Sequence, residues 1–169
     1  TTGSHNTALG LGALASNTSA DNNTAVGRSA LLANTTADNN TAVGMNSMRA
    51  NTTGANNVGI GHGALSTNTT ASQNTAVGMS ALLLTTTGAN NTATGTYAMR
   101  ANTTGAQNTA FGTEALKETT TGINNTCTGY SALIANTTGL QNHGFGVQAG
   151  ASITSGDNNV CVGFQAGHY

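Results

Sequence analysis

The chain has 169 residues, of which only 5% are charged and 4% aromatic; it has no Pro, 23 Gly and a net charge of −1. That balance gives no electrostatic reason to expect nucleic acid or an anionic membrane as a partner. No run approaches the roughly 20 apolar residues of a membrane span, so no membrane insertion is expected. Too few large side chains are present for a thick core, and the charge and Pro that accompany disorder are missing, so a thin, repetitive, ordered structure is expected.

A partial unit over residues 1–5 is followed by an Asn that recurs every 17 residues without insertion or deletion: Asn6, Asn23, Asn40, Asn57, Asn74, Asn91, Asn108, Asn125, Asn142 and Asn159. Numbering each unit from that Asn, position five is Gly in every copy, including Gly27, Gly44, Gly78 and Gly95. Position eight is Ala except for Ser47, position thirteen is Thr, position fourteen is Ser or Thr, and position seventeen of each complete unit is Asn or Gln. The unit reads N-T-A-V-G-x-x-A-L-x-x-N-T-T-G-x-N. The whole chain, residues 1–169, is therefore one repeat domain. It opens and closes inside a repeat, as a fragment of a longer fibre would.

A unit this short, rich in Gly, Asn and Thr, forms helix poorly and is smaller than a helical-hairpin repeat. It suits one coil of an all-β parallel solenoid, ten coils in all. N-T-A-V-G reads as a short strand with Thr and Val on one face and Ala on the other. Gly at position five, and Gly or Ala at position fifteen, allow tight corners. Identical residues then stack about 4.8 Å apart. Asn23, Asn40, Asn74 and Asn91 are expected to form an amide ladder bonded along the stack. The recurrent Asn-Thr-Thr and Asn-Asn-Thr sequons, as at Asn34, Asn51 and Asn39, are read as ladder residues rather than glycan acceptors.

Position three holds only Ala, Gly or Cys, from Ala8 to Cys161. Something approaches that face closely, either the far wall of a thin coil or a second chain. A thin coil gains little from burial alone, so an oligomer with position three near the subunit interface is expected.

The rare reactive side chains form no catalytic or metal constellation. Cys127 and Cys161 share one repeat position two coils apart, about 9–10 Å by strand stacking, which is too far for a disulfide. His5, His62, His143 and His168 occupy four different positions, so no metal ladder is expected. Asp21 and Asp38 stack as like charges, which is mildly unfavourable unless they are solvated or hold a cation such as calcium. Glu114, Lys117 and Glu118 read as a solvated edge. No nucleophile–base pair or phosphate loop is present. No enzyme, cofactor or resident metal is expected.

Variation concentrates at positions six, seven, ten, eleven and sixteen, which are therefore expected to be exposed. The side chains there best suited to meet a receptor are Arg28, Arg49, His62, Tyr97, Arg100 and Tyr130.

The core Asn23 to Leu31 resembles the N-S-V-A-I-G-x-x-A repeat of trimeric autotransporter adhesin heads. It is more similar still to the N-T-A-x-G-x-x-A-L-x-x-N-T-T-G repeats of phage tail fibres and related bacterial trimeric fibres. The resemblance spans the whole chain. It implies a left-handed parallel β-roll, a side-by-side homotrimer, strand Thr and Val pointing into the coil, an extracellular location on a virion or cell surface, and an adhesive role toward a glycan or protein receptor. The 17-residue coil is longer than that of the adhesin heads. In the last two units Gly150 and Gly167 replace the Leu or Met of position nine. Such units in tail fibres adjoin a self-cleaving chaperone, which by analogy puts Tyr169 near that boundary. Two other functions compete with the adhesive fibre. One is an ice-binding solenoid using Thr ladders, although columns thirteen and fourteen face opposite ways. The other is a polysaccharide-degrading tailspike, which needs paired carboxylates that this chain lacks.

Overall fold

A computed structural model describes residues 2–167. The expectations for His168 and Tyr169 lie outside the described residues. Ten three-residue strands follow one another: β1 Thr7–Leu9, β2 Thr24–Val26, β3 Thr41–Val43, β4 Val58–Ile60, β5 Thr75–Val77, β6 Thr92–Thr94, β7 Thr109–Phe111, β8 Thr126–Thr128, β9 His143–Phe145 and β10 Val160–Val162. They form one parallel sheet in sequence order. Each pairing advances by one repeat, as in Thr24↔Thr41, Ala25↔Ala42 and Val26↔Val43. The fold is a β-solenoid, all-β and parallel, with the 17-residue coil that the sequence defines.

Tight turns close each coil because the sequence supplies residues that accept positive φ. Gly27, Gly44, Gly78 and Gly95 sit at φ of 127°, 129°, 135° and 134°, a region open to glycine alone. Position seventeen lies in the left-handed region, as at Asn39 (60°) and Asn90 (60°), where Asn is the least strained non-glycine residue. Position nine is less expected, since Leu31, Leu82 and Met99 adopt φ of 49°, 51° and 48°. A bulky residue there costs about 1–2 kcal/mol. It is held because its side chain is the largest in the coil interior and fully buried, a gain of roughly 1.5–3 kcal/mol.

The interior is thin. Position three (Ala25, Ala42, Ala76, Ala93, Ala110), position eight and the Leu or Met of position nine form one apolar cluster running along the rod. From Ala25 to Cys161 position three is thus buried inside a single chain, Ala8 in the first coil being exposed, which overturns the expectation that it lies at a subunit interface. The strand Thr and Val of positions two and four point outward instead, with β2, β3 and β5 each showing the pattern half-buried, buried, half-buried. The inward Thr and Val implied by the adhesin resemblance are corrected accordingly. An interior already filled by Leu and Ala has no room for a second β-branched pair.

Exceptions to the repeat compensate one another in volume. Ser47, the one non-Ala at position eight, donates to the Gly59 carbonyl at 2.8 Å. A Cβ on Gly59 would stand 2.7 Å from the Ser47 Oγ, so the larger residue in one coil requires glycine in the next. Where Gly150 and Gly167 replace Leu, Ile153 packs against the core cluster and Cys161 lines the vacated space, its Sγ 3.5 Å from a Cβ built on Gly150.

Two buried Asn columns supply polar order. At position one, Asn91 Oδ1 accepts the backbone N–H of Asn108 in the next coil at 3.0 Å, and Asn91 Nδ2 donates to the Gly105 carbonyl of its own coil at 2.9 Å. One amide both closes its coil and joins it to its neighbour, and the pattern holds from Asn23 to Asn142. At position twelve, Asn51 Nδ2 donates to Asn34 Oδ1 at 2.9 Å and Asn68 Nδ2 to Asn51 Oδ1 at 2.8 Å. This column is broken where Thr85, Thr119 and Ile153 stand in place of Asn. Among the described residues the buried side-chain oxygens left without a partner are those of Asn68, Asn102 and Asn136, each one coil before a break. A donor is missing in each case. Thr85→Asn is therefore expected to raise stability by about 1–2 kcal/mol, the penalty of one unsatisfied buried group. The check is the thermal midpoint followed by circular dichroism; a lower midpoint would refute the account.

Candidate functional site

Burial sorts the sequence-derived candidates. Arg28, Arg49, His62 and Arg100 are exposed, Tyr130 is 51% exposed, and Tyr97 is half-buried. Arg28, His62 and Tyr130 stand at position six in coils two, four and eight, too far apart along the rod to act together. Only Tyr97 and Arg100 are brought together, with the guanidinium carbon 5.8 Å from the ring centroid, within cation–π range. The ladder Asn and Gly residues lie in the stack and serve the fold.

The Tyr97–Arg100 pair lines an open hollow of about 230 Å³ whose third wall is Lys117. Lys117 was missed as a site residue because its neighbours read as a solvated edge. It occupies the ladder position of Arg100 one coil further on, and that spacing was the available signal. Its Nζ pairs with Glu114 Oε1 at 3.1 Å and more loosely with Glu118 Oε1 at 3.9 Å, with the Lys117 and Glu114 side chains only 26% and 24% exposed. Glu114 and Lys117 thus form a half-buried pair rather than a freely solvated one, while Glu118, at 51%, remains exposed.

The second feature is a surface. Among the described residues fifteen large hydrophobic side chains are exposed, and twelve belong to repeat positions two, four and six: Val160; Leu9, Ile60, Phe111, Phe145 and Val162; Leu11, Met45, Met79, Tyr130, Val147 and Phe164. They mark the outer strand face and the corner beside it. The outer face of the strands carries no Asp, Glu, Lys or Arg. Ten strands about 4.8 Å apart make a stripe about 45 Å long. With a width of about 13 Å over positions two to six, the band covers on the order of 600 Å², the Thr column of position two and Arg28 at position six included.

Other groups have structural duties. Asp38 Oδ1 accepts the Asp21 N–H at 2.7 Å, and Asp157 Oδ1 the Leu140 N–H at 2.7 Å, so these carboxylates bind backbone in the neighbouring coil. Among the described residues no three His, Cys, Asp or Glu side chains converge. Cys127 and Cys161 are free and buried on either side of Gly144. Burial pushes the Cys127 thiol up to about 12, opposed only in part by its backbone hydrogen bond with Phe111. Such a thiol is inert, and its inward direction gives no support to an interchain bridge. Asn34 and Asn51 of the sequons are fully buried, whereas Asn39 is exposed. Position-thirteen hydroxyls are spent within the rod, as Thr52 Oγ1 donates to the Thr69 carbonyl at 3.0 Å, while position fourteen is exposed.

These features define a β-solenoid tandem-repeat protein with an apolar strand face and one polar hollow on its turn side. No family model, curated protein or solved structure matches the chain. No helix among the described residues is long and apolar enough to cross a membrane.

Proposed function

We propose that the chain is a segment of an extracellular, side-by-side homotrimeric fibre, a left-handed β-roll of the tail-fibre or adhesin kind, joined along the strand face and presenting its turn side to a surface receptor. The stripe along the rod, largely apolar and with no Asp, Glu, Lys or Arg on its strand face, carries this reading. It is the surface that repetition makes continuous, and an area approaching the roughly 800 Å² per partner of a stable interface is costly to leave in water. Copies meeting there would cover the β-branched and aromatic rows while leaving positions seven, ten and eleven free. The test is solution mass by light scattering, for which the trimer value is about 50 kDa, 3 × 16.6 kDa. The double substitution Val43→Lys with Val77→Lys puts charge into the stripe without touching the interior. It is expected to lower the mass to that of one chain while the strand circular-dichroism signal persists. A monomeric wild type would overturn the fibre.

One observation favours a second reading, the ice-binding solenoid. In coils two to six the outward residues are all β-branched: Thr24 and Val26, Thr41 and Val43, Val58 and Ile60, Thr75 and Val77, Thr92 and Thr94. Restricted χ1 freedom makes such an array stiff and regular. A monomer that shows thermal hysteresis would support this reading; a trimer without hysteresis would dismiss it.

A further inference from the structure

The chain has four Lys and Arg residues in all, and two of them, Arg100 and Lys117, occupy the same repeat position in adjacent coils. Coil stacking brings such positions to about 4.8 Å, and like charges set directly opposite each other repel. Lys117 is relieved by Glu114 and Glu118. Among the described residues no carboxylate pairs with Arg100; it rests over the ring of Tyr97. Tyr97 is itself anomalous. Its position adopts positive φ throughout the rod, and other coils fill it with Gly, Ser, Asn, Gln or Glu, whereas here a bulky aromatic sits at 60°. No other coil places an aromatic at this position.

We propose that the hollow formed by Tyr97, Arg100 and Lys117 binds a carboxylated sugar. A guanidinium without an acid partner offers the planar fork that takes a carboxylate through two parallel hydrogen bonds. Lys117, already paired with Glu114 and Glu118, lines the same side with an N–H donor, so Arg100 is the cation that supplies the attraction. The Tyr97 ring gives a flat apolar surface with a polar edge, suited to the C–H face of a pyranose. At about 230 Å³ the hollow falls below the 300–1,000 Å³ of drug-sized pockets, so it accommodates one sugar unit rather than a long segment. Its residues stand at positions seven and ten, away from the strand face, so the site remains open in the assembled fibre and recurs once per chain. The proposal deepens the surface-binding reading and rests on it for the avidity by which weak single sites hold a receptor.

Ligand-observed saturation-transfer NMR on the whole chain, with 3′-sialyllactose, trigalacturonate and lactose as probes, tests it. The acidic sugars are expected to bind at least tenfold more tightly than lactose. Binding of both acids assigns the carboxylate as the recognised group; binding of one alone identifies sialic acid or uronate as the source. Arg100→Gln is expected to weaken binding at least tenfold, Lys117→Gln less, and Tyr97→Ser to abolish transfer to the ring protons, while Thr36→Ala, an exposed substitution in coil two, leaves binding unchanged. The site is overturned if neither acid binds, if lactose binds equally well, or if Arg100→Gln binds like the wild type. Solution mass, measured in parallel, separates the two ideas. A trimer that ignores acidic sugars sinks the site and spares the fibre, and a monomer that binds them does the reverse.

Discussion

Gly78→Ala will split the rod at its centre. A Cβ on Gly78 would lie 2.6 Å from both the carbonyl carbon and the oxygen of Gly95 in the next coil, and those are backbone atoms that cannot rotate away. The φ of 135° is also closed to alanine. Together these cost at least about 3 kcal/mol. In a solenoid the loss falls on one coil–coil junction, because each coil touches only its neighbours. Two consequences follow: a large drop in the thermal midpoint, and new protease cleavage close to residue 78. Gly63→Ser is the matched control. Its Cβ would meet nothing nearer than 3.5 Å, and Ser29 and Ser80 already occupy the same position at φ of 58° and 55°. A Gly78→Ala protein as stable as Gly63→Ser would show that the corner glycines are not required.

The glycine corners, the coil length and the Asn column were legible because each is an invariance with one physical cause. Only glycine fits position five, and only an amide both donates and accepts across a coil. The direction of the strand was not legible. Alternation in a three-residue strand says that Thr24 and Val26 share a face, not which face is inside. Small residues at position three signalled a close approach by the coil's far wall or by another chain, and it is the coil's own Leu or Met that supplies it. The signal that decides it is tolerance of size. Position four accepts Val, Thr, Leu, Ile and Phe, a range no packed interior allows, whereas position three never exceeds Cys. The hollow was half legible. Tyr97 and Arg100 stood out as rare side chains, but Lys117 required the coil spacing to be applied to charges as it had been to Asn.

The repeat also explains why chemistry is confined to a few positions. Every side chain in the interior is shared with the coils above and below, so a change there propagates or must be compensated, as Gly59 compensates Ser47. Outward positions face no such demand. The rod therefore separates a conserved-in-register scaffold from a variable surface, and a binding group such as Tyr97 can be introduced in one coil without altering the next.

Asn91 offers the sharpest test of what holds that scaffold together. Asn91→Ala orphans the Asn108 N–H, leaves the Gly105 carbonyl with Asn102 Nδ2 as its remaining donor and opens a void, a loss of about 3–5 kcal/mol. Asn91→Asp keeps the shape and the acceptor facing Asn108 but loses the donor facing Gly105. It also places a charge in an interior that holds no counter-ion, since the neighbouring column residues are Asn74 and Asn108. At pH 7 it is expected to be at least as damaging as alanine. Acid should then separate the two. Burial and the Gly105 carbonyl both favour the neutral carboxyl, so its folded-state pKa rises above the unfolded value of about 3.9. The folded form consequently binds a proton at a pH where the unfolded form does not, and stability grows as pH falls from 7 toward 4. The protonated Asp can then donate to Gly105 as the amide did. Asn91→Ala has no such proton and should show no corresponding recovery. Equal pH profiles for the two variants would mean that the amide donor at position one does not close the coil, and that the column is held by its backbone bonds alone.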